Sequence, residues 1–229
     1  MVWHTKQRFA GCSSLVLIAT MLMTSSTMPC KIVRNKQTQK ILRIIFIFIR
    51  NQITEVLNAE SAGYWEAVNQ FSYFYFVVLN SIMLIYFLPR ISENDSLGFY
   101  RAQVVEYFKK LMPLYVLSLL VLYGFRNEAI NLLLSPSFSA VEKLFFWQLL
   151  GDFFRAGTLV FVIFFHARRM ILRFVITDMV FAILLVFLSF YFLEREGLLG
   201  VVKAHFYSYF IYFVVVFSFV SKFLFYKTK

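Results

Sequence analysis

Charge is scarce in this sequence. Only 15% of its 229 residues are Asp, Glu, Lys or Arg, while 60% are hydrophobic. A soluble domain must cover its surface with polar groups, and this chain has too few of them. Cysteine is nearly absent: Cys12 and Cys30 lack metal-ligand spacing and give no disulfide framework. Histidine is limited to three scattered residues. No GxxxxGK[ST], HExxH or GxSxG motif occurs, so nothing argues for an ATPase, a zinc hydrolase or a serine hydrolase. No catalytic residue, metal ligand or cofactor is assigned. Acids are also short, 12 against 23 bases, for a net charge of +11. In a soluble protein that excess suggests nucleic acid. Here the bases flank apolar blocks, which reads as membrane topology and not as nucleic-acid binding.

The apolar residues fall in long blocks, 71–88, 111–125, 144–165, 174–193 and 205–221. The runs are continuous rather than alternating, which excludes a β-barrel and predicts an all-α, polytopic membrane protein of about six transmembrane helices. An earlier block, GCSSLVLIATMLMTSSTMP, follows Lys6 and Arg8 and has the outline of a signal peptide. Thr24, Ser25, Ser26 and Thr27 dilute its core and no A-x-A site follows, so it reads as the first membrane helix. Residues 31–62 are atypical. Six bases (Lys31, Arg34, Lys36, Lys40, Arg43, Arg50) surround the run 44–49, which is too short to span.

Further helices are expected at about 63–88, 107–125, 144–165, 172–193 and 200–221, with Pro113 in the first turns of the second of these. Ser139 and Glu142 have the spacing of a capping box, and LEREGLLG turns the chain before the last helix. With the N-terminus inside, the inner segments collect Lys6 and Arg8, four bases within 89–110, Arg168, Arg169 and Arg173, and three in the tail. The outer ones after residue 62 hold only Arg126, Lys143, Arg195 and Lys203. That asymmetry predicts both termini on the cytoplasmic side. The basic run 31–62 then lies outside, against the rule.

Asp152 and Arg155 sit in the middle of LFFWQLLGDFFRAGTLVFVIFF, residues 144–165. A charge at that depth costs at least ~2.5–3.5 kcal/mol, so the two must face protein or water. Three residues apart on a helix, they share a face and can pair. Asp178 is a second intramembrane carboxylate, read either as a protonation or cation-coupling site or as a partner of Arg173. Trp65 and Glu66 read as an interface anchor and a solvated charge, and His205 as a polar contact between helices.

From Ala62 onward the chain resembles the C-terminal half of the Wzx-type O-antigen and enterobacterial-common-antigen (lipid III) flippases, within the MATE-like polysaccharide exporters. The landmarks are GYWEAVNQFS, YFLPRIS, LLLSPSFSAVEKLFFWQLLGDFFRAGTLVF, LRFVITDMV and GLLGVVKAHFYSYFIYF, in order and without large gaps over roughly 62–221. A departure precedes them: the hydrophobic-Arg-Asn triplet occurs twice, as Val33-Arg34-Asn35 and Ile49-Arg50-Asn51. The resemblance implies one domain, 1–229, forming one six-helix bundle of a two-bundle flippase, with 61–229 matching well and 31–60 atypical. It implies a non-enzymatic function: undecaprenyl-pyrophosphate-linked oligosaccharide moves across a bacterial inner membrane by alternating access. Asp152 and Arg155 match the family's G-D-x-x-[KR] pattern, with Arg155 attracting phosphate or acidic sugar and Asp152 as its counter-ion; the competing reading is a pair that locks two helices. Arg168, Arg169 and Arg173 serve either topology or attraction of the headgroup. The partner is a missing six-helix first half or a second copy of the chain. Three rival readings are a membrane-embedded polysaccharide polymerase or ligase, a multidrug exporter, and a non-functional remnant of a longer exporter.

Overall fold

The computed structural model describes residues 36–94, 96–128 and 142–225, and those residues form six helices with no strand among them. They are α1 (Lys36–Val56), α2 (Ala59–Glu93), α3 (97–124), α4 (Glu142–Ala167), α5 (Ile171–Glu196) and α6 (Leu198–Phe225). Four of them, α2, α4, α5 and α6, are long and apolar enough to cross a membrane. This is a polytopic all-α membrane protein. The helix expected within residues 11–29, the bases at 31 and 34, and Ser139 of the capping box lie outside the described residues.

Helix α4 is the centre of the bundle. Within its most apolar window 61% of residues are buried, against 22–33% in α2, α5 and α6. The outer helices instead turn Ile85, Leu172 and Ile183 outward, as lipid-facing side chains should be. The α4–α6 contact is an aromatic seam: Phe154 meets Phe206, Phe210 and Phe213, and Phe161 meets Phe213 and Phe217. Gly151 allows the backbones to approach, because a Cβ there would lie 2.4 Å from His205 Cδ2 and 3.2 Å from the Cα of Phe206. Membrane helices associate through such van der Waals packing, since lipid is as apolar as the side chains it replaces.

Two prolines shape the α2–α3 pair. Proline cannot donate its backbone bond, and its ring crowds the carbonyl four residues earlier. The helices answer by widening one turn just ahead of each: a π-helical turn at Met83–Phe87 precedes Pro89, and another at Tyr107–Leu111 precedes Pro113. The two turns meet, Phe87 standing edge-on to Tyr107 at 5.9 Å, and the Tyr107 hydroxyl donates to the Ala156 carbonyl of α4 at 2.7 Å. Close by, Glu106 takes Lys110 at 2.9 Å and Arg90 at 3.7 Å.

Two sequence expectations are corrected. The segment read as an outer arm with a run too short to span holds a 21-residue helix, α1, about 32 Å long. Its charges do not interrupt it, because Ile49 and Ile53, one turn apart, are buried while Arg43 and Arg50 stay exposed. After the turn at Leu57 and Asn58, whose side chain accepts the Ser61 N–H at 2.7 Å, α2 runs back along α1. Arg50 therefore pairs with Glu66 at 3.4 Å and Phe46 stacks on Trp65. Lys36, Lys40 and Arg43 lie toward the far end of that hairpin, level with the middle of α2, and not on an arm beyond its start. Phe48 also contacts Phe190 of α5. The second correction is that α3 begins at Leu97, not near 107. Tyr100, Gln103, Val104 and Tyr107 form a buried stripe, which the polar residues between them concealed.

Candidate functional site

Asp152 is completely buried, and three helices supply its surroundings. From α2, residues 72 and 75 are one turn apart; from α4, residues 148, 152 and 155 share a face; from α6, residues 205 and 209 do the same. The Ser72 hydroxyl donates to Asp152 Oδ2 at 2.5 Å, and the Tyr75 hydroxyl donates to the same oxygen. His205 Nε2 lies 3.3 Å from Oδ1. Gln148 extends the chain of bonds: its Nε2 donates to Ser72 Oγ at 2.8 Å and lies 3.4 Å from His205 Nε2. A buried carboxylate without partners would be very costly, and these hydroxyls are its solvent.

Arg155 is held differently. Its guanidinium stands 3.7 Å from Asp152 Oδ1, an ion pair rather than a close hydrogen bond. The same group lies over Phe76, its Cζ 3.7 Å from the ring centroid, and 5.6 Å from that of Tyr209. Its side chain is 25% exposed where Asp152 is sealed. The planar guanidinium can stack on a ring and still present N–H donors at its edge. The arrangement is a fixed cation at the rim of a buried acidic cluster.

Asp178 sits apart from that cluster, on α5, where it accepts the Tyr212 hydroxyl at 2.9 Å. Phe181 contacts both Tyr212 and Tyr209, with centroids at 5.0 and 4.6 Å. His205, Tyr209 and Tyr212 follow one stripe of α6, so the two carboxylates face opposite ends of a single polar and aromatic file. Among the described residues, no group of three His, Cys, Asp or Glu side chains is placed to hold a metal ion.

No family model and no solved structure matches the chain. Two curated proteins do: the lipid III flippases of Escherichia coli (strain K12) and of Shigella flexneri, each 26% identical over 176 residues. The chain is similar to the lipid III flippases. The matched region is 77% of this chain and 42% of each relative, so the chain spans well under two thirds of their length.

The three arginines picked out by sequence gather at the α4–α5 turn. Arg169 takes a left-handed conformation, φ 54°, that lets α4 end and α5 begin within three residues. Arg169 and Arg173 are exposed, and the Arg168 guanidinium lies 5.7 Å from the Phe164 ring. They are not part of the Asp152 cluster. Glu142, read as half of a capping box, takes Arg126 at 2.8 Å and so ties α4 to the segment after α3.

Sequence reasoning found Asp152 and Arg155 because charge inside an apolar run is conspicuous. It missed Ser72, Tyr75 and Gln148, since uncharged polar residues are common in membrane helices. The available signal was spacing: S-x-x-Y in α2, Q-x-x-x-D-x-x-R in α4 and H-x-x-x-Y in α6 each set their polar residues on one face.

Proposed function

We propose that the chain forms one bundle of a transporter that carries undecaprenyl-pyrophosphate-linked oligosaccharide, an O-antigen or enterobacterial-common-antigen repeat, from the inner to the outer leaflet of a bacterial inner membrane. The observation that carries this reading is Arg155: a cation inside a membrane-spanning helix, partly open, whose acidic neighbour is already satisfied by other groups. Because Ser72 and Tyr75 bond Asp152 directly, the guanidinium edge stays free to take phosphate oxygens, two at a time. Similarity to lipid III flippases supports the substrate class.

In this mechanism the bundle rocks against a facing bundle around a midplane site. The facing bundle is a second copy of this one or a six-helix first half. Asp152 keeps Arg155 in place when the site is empty and screens its charge on release. Asp178 is the coupling site for a proton or cation, and Arg168, Arg169 and Arg173 draw the anionic headgroup to the cytoplasmic mouth, with both termini on that side. No bond is made or broken, so the chain acts as a transporter and not as an enzyme.

The test is reconstitution. Proteoliposomes carrying the chain, alone or with a companion bundle, are loaded with fluorescently tagged polyprenyl-pyrophosphate saccharide, and dithionite reports which leaflet holds the tag. The expected result is tag exchange well above that in protein-free vesicles. No exchange in either arrangement would reject the proposal.

A further inference from the structure

An apolar groove of about 670 Å³ lies between α2 and α3 and touches the Asp152 cluster at Tyr75. It follows α3 from Leu111 to Phe125, about 20 Å at a helical rise of 1.5 Å per residue. Its outer lining is aliphatic, with Val78, Leu114 and Val121 each more than half exposed. Its inner wall holds two tyrosines, Tyr75 and Tyr115, with ring centroids 6.0 Å apart. The Tyr75 hydroxyl is spent on Asp152. Tyr115 is only 6% exposed, and its hydroxyl has no hydrogen-bond partner.

A buried hydroxyl without an acceptor is an expensive feature to keep in an apolar wall. An acyl chain alone does not supply the acceptor, because it offers only methylene groups. A lipid whose head is being carried through the bundle does supply one. We infer that the groove seats the polyprenyl chain of the transported lipid, with the phosphate end at the Tyr115 hydroxyl and the chain running toward Phe125. This inference rests on the proposed function and adds the place of the hydrocarbon tail. The head then lies beside the Asp152–Arg155 cluster, because Tyr75 lines the groove and bonds Asp152. The chain keeps apolar contact while the charge is moved, so only the head crosses the polar part of the bundle.

The experiment uses the full chain in nanodiscs and three photoactivatable probes. One is geranylgeranyl pyrophosphate with a diazirine at the far end of the chain; the second carries the diazirine beside the pyrophosphate; the third is phosphatidylglycerol with the diazirine in an acyl chain. Mass spectrometry maps the adducts. The far-end probe should label the α3 peptide containing Leu117 and Val121, and excess unlabelled geranylgeranyl pyrophosphate should remove that label. Leu117→Trp should cut it at least severalfold while leaving the melting profile and the α4 adducts of the second probe unchanged. Tyr115→Phe should weaken competition about fivefold, the loss of one hydrogen bond. Equal labelling of the groove by phosphatidylglycerol would overturn the inference in favour of bulk lipid. Cross-links from groove positions to protein would overturn it in favour of a packed helix. If the second probe marks α4 while the far-end probe marks sites outside the groove, the tail assignment fails and the proposed function stands. If neither probe marks α2, α3 or α4, both fail.

Discussion

Removing a single oxygen tests how Asp152 is kept in the bundle. Tyr75→Phe takes away one of the two hydroxyls on Asp152 Oδ2 and leaves the ring and its contact with Tyr115 in place. Hydrogen bonds between membrane helices average about 0.6 kcal/mol and reach about 1.7, whereas bonds to a charged group in proteins are worth about 1.5–3 kcal/mol. Asp152 is fully buried, so no water can replace the lost donor. A cost near the top of the membrane range and the bottom of the charged-group range therefore applies, about 1.5–2 kcal/mol. The cost stops short of the ~3–5 kcal/mol of a stripped buried charge, because Ser72 remains at 2.5 Å and His205 at 3.3 Å. For a chain of this size the expected drop in Tm is about 3–8 °C. The assay is thermal unfolding of the detergent-purified chain, with Asp152→Asn as the second corner of a double-mutant cycle. Once the acceptor is neutral, Tyr75→Phe should cost only about 0.6 kcal/mol. A drop below about 1 °C in the wild-type background, or an equal drop beside Asn, would refute the reasoning.

Three further outcomes are expected. Gly151→Ala forces α4 and α6 apart at His205 and Phe206 and should cost about 1–3 kcal/mol as overpacking; a melting curve within error of wild type would show that α6 yields freely. Glu106 is held below its ordinary carboxylate value, chiefly by the Lys110 ammonium, so its stabilisation exists above the unfolded value and is lost as the pH falls through the folded one. Wild type and Glu106→Gln should accordingly melt apart at pH 7 and converge below pH 4.5, while a gap that persists in acid would assign the effect to packing. If Asp178 couples transport to protons, Asp178→Asn should abolish the response of transport to an imposed pH gradient, and an unchanged response would remove Asp178 from that role.

The long apolar helices were readable from sequence to within a few residues, because their lengths and hydrophobicity leave no alternative in a bilayer. Their ends were set too short: Glu194, Arg195 and Glu196 read as a loop, yet continue α5 until Gly197, whose φ of 61° suits glycine and turns the chain. Helix α1 was lost to its own charges. Lys36, Lys40, Arg43, Arg50 and Glu55 interrupt every apolar run in sequence but not the face that holds Ile49 and Ile53. The start of α3 was hidden in the same way. At the site, the identities of Asp152 and Arg155 were legible, but their roles in the cluster were not. Sequence made each the other's main partner. The fold gives Asp152 to Ser72 and Tyr75, eighty and seventy-seven residues away, and lays Arg155 on Phe76. Contacts at that separation depend on how α2 docks on α4, which no local spacing encodes.

The account turns on whether the positive charge of Arg155 meets the substrate's phosphate. The most direct measurement compares leaflet exchange of tagged polyprenyl-pyrophosphate saccharide in proteoliposomes of wild type, Arg155→Lys and Arg155→Ala, at equal insertion and equal Tm. The account predicts loss of exchange in Arg155→Ala, with partial exchange in Arg155→Lys, which keeps the charge without the paired donors. Exchange by Arg155→Ala at the wild-type rate would contradict it and leave the pair as a lock between helices.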